Sequence, residues 1–136
     1  MITQKCINDL AYKIVGCAIE VHQELGPGLL ESVYEKCLIH ELKLKGLEVS
    51  SQQLVPLSYK GESIDCNLKI DLIVNDLIII ELKAIEVILP VHQAQLLTYL
   101  KLLQKPKGLL INFNCENITK QLIPLVTDKF AELPKV

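Results

Sequence analysis

Between Leu77 and Lys83 the sequence reads LIIIELK. The run Leu77 to Ile80 is apolar and rich in β-branched side chains, so it reads as a strand buried within a sheet. Strand side chains alternate between two faces, so Glu81 and Lys83 project together while Leu82 projects the other way. A carboxylate and an ammonium thus share one face of a core strand. Burying a charge costs roughly several kcal/mol per ion unless it is paired or bound to a metal. The segment therefore demands both a covered sheet and a reason for its charges.

The chain has 136 residues, half of them hydrophobic. That is enough for one domain with a core and too short for two. The N-terminus lacks a basic segment followed by an apolar run and a cleavage site, and no apolar run approaches the ~20 residues of a membrane span. A soluble, cytoplasmic protein without a membrane partner is expected. Cysteines at 6, 17, 37, 66 and 115 form an odd set without a C-x-x-C pair. They read as reduced thiols among apolar neighbours, in keeping with a reducing compartment. The net charge is −2, and all fourteen basic residues are lysines. If nucleic acid is the partner, local charge must attract it.

The period of the apolar positions changes along the chain. Ile7, Leu10, Ala11, Ile14, Ala18, Val21 and Leu25 recur at steps of three and four, which predicts an amphipathic helix from about Thr3 to Glu24. LGPG breaks it. A second helix follows through LLESVYEKCLIHELKLKG, with Leu30, Val33, Tyr34, Cys37, Leu38, Glu41 and Leu42 on one face and Gly46 at its end. Strands are predicted at QLVPLSYK, CNLKIDLIV and LIIIELKAI, with turns near Gly61 and at Asn75-Asp76. Pro90 opens a third helix that Pro106 and Gly108 terminate. GLLINFN is then a buried strand, and ITKQLIPLV an edge strand that tolerates Pro124. The predicted order is α-α-β-β-β-α-β-β in a single α/β unit.

Asp71 lies in the strand before Glu81. With the turn centred at Asn75-Asp76, residues whose numbers sum to about 151 to 152 face each other, and strands lie ~4.8 Å apart. Asp71 therefore comes level with Glu81, near enough for both carboxylates to share a cation. Mg²⁺ prefers oxygen ligands and retained waters, a set that two carboxylates and a backbone carbonyl can supply. Lys83, one pleat on, could orient or help deprotonate a water, or balance phosphate charge.

Asp71 followed by Glu81-Leu82-Lys83 resembles the D…(E/D)-x-K core of the PD-(D/E)XK nuclease superfamily, whose αβββαβ order is similar to the order above. GLLESVY, with Gly28, Glu31 and Tyr34, resembles the motif of one branch, the GxxExxY protein family. PVHQAQLLTYLKLL followed by GLLINF is similar to that family's next helix and strand. The resemblance spans about residues 5 to 125. It implies a restriction-endonuclease-like αβββαβ core with a mixed central sheet and an additional N-terminal helix. It further implies Mg²⁺-dependent cleavage of DNA or RNA phosphodiesters, with Mn²⁺ a candidate substitute. Asp71, Glu81 and the Leu82 backbone carbonyl would then hold the metal, with Glu31 supporting it through water. Lys83 would be the catalytic lysine and Gln95 the polar residue of the following helix. Lys69 stands where relatives often carry arginine, so bidentate phosphate binding is not implied there.

Blander readings accompany these. Glu81 and Lys83 can be an ion pair, with Asp71 an edge charge. Glu31 and Glu35 sit near a helix N-terminus, where the dipole favours acids, and for Glu35 that reading is preferred. Gln95 and Tyr99 can line a half-buried face. His92 suits either a phosphate contact or a cap; His22 is read as structural and His40 as exposed. The leading expectation is a nuclease, with a catalytically idle nucleic-acid- or protein-binding module as the alternative. The chain's small surface makes a homodimer a candidate assembly.

Overall fold

The computed structural model describes residues 1–136. Helix α1, Gln4–Leu25, starts where the Thr3 hydroxyl accepts the Cys6 N–H, a side-chain cap for an otherwise orphan donor. Gly26 (φ 66°) stops it. Helix α2 spans Glu31–Leu44 and closes on Gly46 (φ 77°), the left-handed exit that glycine permits. Strand β1 follows at Val49–Leu54, then a short hairpin, β2 (Leu57–Tyr59) and β3 (Glu62–Ile64). Next come β4 (Lys69–Val74), β5 (Ile78–Lys83), α3 (Pro90–Leu103), β6 (Lys107–Asn112) and, after a 3₁₀ turn at Ile118–Gln121, β7 (Leu122–Val126). One turn of helix, α4 (Asp128–Ala131), ends the ordered elements.

Five strands form a mixed sheet in the order β1-β4-β5-β6-β7. Only β5 and β6 are parallel, and α3 is the crossover that a parallel pair requires. Helices α1 and α2 cover one face through Ile7, Ile14, Val21, Tyr34, Leu38 and Leu42, packed on Leu72, Val74, Ile78, Ile80, Leu82, Leu109 and Ile111. Helix α3 covers the other through Leu96, Tyr99 and Leu100 on Ile70, Ile73, Ile79 and Leu110. Each such fully buried aliphatic side chain contributes about 1.5–3 kcal/mol. The charges at the end of β5 thus sit on a strand covered from both sides.

Several expectations are corrected. QLVPLSYK is not one strand: Pro56, which has no N–H to donate, falls between β1 and β2. The hairpin stands apart as its own two-stranded sheet, so the three neighbouring strands of the predicted meander are β1, β4 and β5. Leu30 and Val33 are exposed rather than part of the α2 seam, which is Tyr34, Leu38 and Leu42. Gly108 does not terminate a helix but lies inside β6, where an added Cβ would come within 3.0 Å of Leu100 Cδ1. Pro124 sits on the edge strand as expected, opposite Leu109. No helix is long and apolar enough to cross a membrane.

Candidate active site

Three residues, Asn75–Leu77, join β4 to β5, with Asn75 and Asp76 in the left-handed region (φ 52° and 57°) and the Leu77 N–H donating to the Val74 carbonyl (3.0 Å), a tight hairpin connection. It pairs Val74 with Ile78, Ile73 with Ile79 and Leu72 with Ile80. The next pair in that register is Asp71 and Glu81. There the strands exchange side chains for backbone bonds: the Asp71 N–H donates to Glu81 Oε1 (3.1 Å) and the Leu82 N–H donates to Asp71 Oδ2 (2.8 Å). Each carboxylate thus satisfies a donor of the other strand.

Glu81 is 6% exposed. Burial first, and then the negative charge of Asp71, push its carboxyl up to about 8. The Asp71 N–H and the nearby Lys83 ammonium pull it back only in part. Buried beside the Asp71 carboxylate, the Glu81 carboxyl keeps its proton well above the ordinary carboxylate range in the absence of a counter-ion.

Glu31 opens α2, and its placement explains the spacing of Gly28, Glu31 and Tyr34. The Tyr34 ring is fully buried and stacks on Phe113 at 4.7 Å between centroids. Its hydroxyl donates to the Gly26 carbonyl (2.6 Å) and accepts the Leu29 N–H (3.2 Å). Gly28, at φ 99°, lets the chain turn between those anchors. Glu31 emerges from this tied loop at the mouth of the site. Partial burial and then the Asp71 charge raise its carboxyl, while Lys83 lowers it, so Glu31 lies in the field of both. Tyr34→Phe should keep the stack yet strip two partners from the loop. A loss of about 1–3 kcal/mol in urea unfolding is expected; an unchanged midpoint would show that water replaces the hydroxyl.

Lys83 is half-buried and joins none of the ion pairs, which are Lys5–Asp9, Lys105–Asp76 and Lys129–Glu132. The pairing of Lys83 with Glu81 is therefore not adopted. Its backbone is pinned on the β6 side, where the Phe113 N–H donates to the Lys83 carbonyl (2.9 Å). Asn112, level with Lys83 and fully buried, holds the segment that follows. Its Oδ1 accepts the Ile85 and Asn114 N–H groups at 3.1 and 3.2 Å, and its Nδ2 donates to the Ile85 carbonyl at 2.8 Å and to Gln121 Oε1 at 3.3 Å.

From α3, the exposed Gln95 donates to the Tyr99 hydroxyl (3.2 Å). Burial and then the Glu81 charge raise the Tyr99 phenol, with the Gln95 bond lowering it. Gln95 therefore touches Tyr99, which feels the Glu81 charge, and makes no hydrogen bond to either carboxylate. His92 Nδ1 accepts the Leu89 N–H (2.9 Å) and caps α3. His22 bonds the Cys115 carbonyl (2.7 Å) in a structural role, and His40 is exposed.

Glu35, read from the sequence as a dipole acid, accepts a hydrogen bond from Gln52 Nε2 (2.9 Å). Burial raises its carboxyl, the Gln52 amide lowers it, and the Asp71 charge raises it. Tyr99, Asn112, Glu35 and Gln52 are the parts that sequence reasoning missed. Glu35 and Tyr99 read from the sequence only as a dipole acid and a half-buried wall, Asn112 is marked only by an amide ending the otherwise apolar GLLI run, and Gln52 carries no signal.

The donor set fits a hard cation. No group of three or more His, Cys, Asp or Glu side chains is arranged to hold a metal ion, so Asp71 and Glu81 stand as a pair of hard oxygen donors, with Glu31 outside that pair. The largest cavity, about 570 Å³, is elsewhere, between α3 and β7–α4 and lined in part by Leu97, Lys101 and Thr127.

No curated protein and no solved structure is matched by this chain. A family model described as the PD-(D/E)XK nuclease superfamily matches residues 8–123, a span that runs from α1 to β7 and includes Asp71, Glu81 and Lys83. Together with the mixed five-stranded sheet flanked by helices, that match makes the fold restriction-endonuclease-like, and the chain belongs to the PD-(D/E)XK nuclease superfamily.

Proposed function

We propose that this chain hydrolyses phosphodiester bonds of DNA or RNA with a divalent cation, Mg²⁺ or Mn²⁺, and that it belongs to the GxxExxY branch. The reciprocal bonding of Asp71 and Glu81 beside an unpaired Lys83 carries the reading. Ladder carbonyls could serve the two N–H groups that these carboxylates serve, so the strand does not need the pair for its backbone bonding, and burying it is costly. A cation held there supplies charge neutralisation and polarisation of a phosphoryl oxygen. Asp71, Glu81 and the Leu82 carbonyl would hold it, with Glu31 assisting through water.

The chain's own groups then divide the work. Lys83 places a compact positive charge where the phosphate bears its developing negative charge, and its ammonium orients the attacking water. Gln95 and Tyr99 limit solvent access to Glu81 from the α3 side. Incubation of the protein with single- and double-stranded DNA and RNA, in Mg²⁺, Mn²⁺ or EDTA, tests the proposal. Cleavage should occur with either metal and vanish in EDTA; equal cleavage in EDTA would remove the metal from the mechanism.

The absence of arginine and the net charge of −2 favour a second reading, a binding module without turnover. Such a module would bind nucleic acid with an affinity that falls as salt rises, and would cleave under none of these conditions.

A further inference from the structure

Gln52 lies inside β1 and has φ +55°, a backbone state that Asn or Gly adopts readily and that Gln has no local means of favouring. In the β1–β4 ladder Ser51 pairs with Leu72 and Gln53 with Ile70. Gln52 falls between them, opposite Asp71, at the one position where the pairing is interrupted. Strained non-glycine residues persist where surrounding structure holds them, often beside functional groups. This one faces the carboxylate at the centre of the site.

The side-chain pattern changes at the same place. Along β4, Leu72 and Val74 pack on the α1–α2 side. Ile70, which alternation would put with them, packs on the α3 side. Val49 in β1 belongs to the α1–α2 side and Val55, the residue just after β1, to the α3 side, although alternation carried one residue past the strand would put them together. The two strands turn over together at Gln52 and Asp71. Alternation from Val49 would aim Gln52 away from α2; instead its amide reaches Glu35 on α2 at 2.9 Å. Glu35 stands one helical turn beyond Glu31, so the two share a face.

We propose that Gln52 is a positioning residue: its left-handed backbone and its amide tether Glu35, and so register the acidic face of α2, carrying Glu31, against Asp71. The tether's purpose rests on the metal-dependent reading given above. Its existence does not, and the two are separable by experiment. The Tyr34 anchor fixes the loop before α2; the Gln52 bond fixes the helix's second turn to the strand beside Asp71. Without that bond, no hydrogen bond joins the exposed first turns of α2 to the sheet edge.

Three variants isolate the tether. Gln52→Asn keeps an amide and suits the left-handed backbone but is one methylene short of Glu35. Gln52→Gly suits the backbone and has no amide. The paired exchange of Gln52→Glu with Glu35→Gln rebuilds the bond in reverse. The measurements are thermal melting in EDTA, amide hydrogen exchange, and the Mn²⁺ concentration that half-shifts the melting temperature. The Asn and Gly variants should melt no lower than wild type, because backbone strain is relieved. Amides of residues 33–37 should exchange about tenfold faster while those of β5 are unchanged, a local rather than global opening. The Mn²⁺ midpoint should rise several-fold, and the paired exchange should restore both values. Unchanged exchange at 33–37 overturns the proposal, and so does a lower melting temperature with faster exchange across the whole sheet. If Mn²⁺ fails to shift even the wild type, the metal reading fails and the exchange rates alone decide the role of Gln52.

Discussion

Lys83→Ala is expected to reduce phosphodiester cleavage by about 10²- to 10³-fold, the scale on which removal of one preorganised charge stabiliser acts, while the protein stays folded. The fold should survive because the features that hold position 83 are backbone features: the register with Asn112 and the Phe113 N–H on the Lys83 carbonyl. No ion pair is broken, since the ammonium has none. Removing it leaves Asp71, Glu81 and Glu31 with less compensation, because Lys83 lowers the carboxyls of both glutamates. Cation-free protein should therefore be slightly destabilised near neutral pH. The informative comparison is Lys83→Met, which restores the length and bulk of the side chain without charge. If Met is as inactive as Ala and both melt within a few degrees of wild type, the charge is what acts. Wild-type turnover in either variant would remove Lys83 from the mechanism.

The parts legible in the sequence are those governed by local periodicity and turn chemistry. Thr3 as a cap, Gly46 as a helix exit and Pro90 at a helix start each announce a boundary because each supplies or lacks a backbone group at that point. The juxtaposition of Asp71 with Glu81 is legible for a similar reason: Asn75-Asp76 dictates a tight turn, and a tight turn dictates register. The orientation of Glu81 against Leu82 follows from alternation alone. Alternation is also where legibility ends. The reversal of faces coincides with the left-handed backbone of Gln52 and the interrupted pairing opposite Asp71, and glutamine carries no signal for that conformation. Of the hairpin, β2 and the turn near Gly61 lie within the predicted QLVPLSYK strand and turn, whereas β3 escapes sequence reasoning because its three exposed residues have no hydrophobic period to detect. Glu35 reads as a helix-dipole acid because its partner lies seventeen residues away on another element. Tyr99 reads only as a half-buried wall, since its tie to Glu81 arises from packing of α3 over β5.

Metal-free protein should lose stability as pH rises from about 4.5 toward 8, and Glu81→Gln should abolish most of that loss. The sign follows from proton counting. In the unfolded chain Glu81 titrates near its ordinary value of 4.5, whereas in the fold burial and the Asp71 charge hold its proton to about pH 8. Between those limits the folded state binds more protons than the unfolded state, so unfolding free energy falls with pH. Below the window both states are protonated and the penalty is absent; above it the penalty is complete. Its size is of order a few kcal/mol, since each tenfold difference in proton affinity between the two states corresponds to about 1.4 kcal/mol. Gln keeps an oxygen to accept the Asp71 N–H and adds N–H donors toward the Asp71 carboxylate, so it should match the wild type near pH 4.5 and exceed it increasingly up to pH 8. Divalent cation should invert the order. A ligand that binds only the folded protein stabilises by about 2.7 kcal/mol at a hundredfold excess over its Kd, and the variant forfeits much of that. Because the Glu81 proton must leave before the cation enters, the wild-type response to cation should also grow with pH across the same window. Thermal melts of both proteins at pH 5, 6.5 and 8, in EDTA and in excess Mg²⁺, make the comparison. A variant whose advantage in EDTA is the same at every pH would show that Glu81 carries no trapped proton, and a wild type unmoved by Mg²⁺ at pH 8 would show that the paired carboxylates hold no cation.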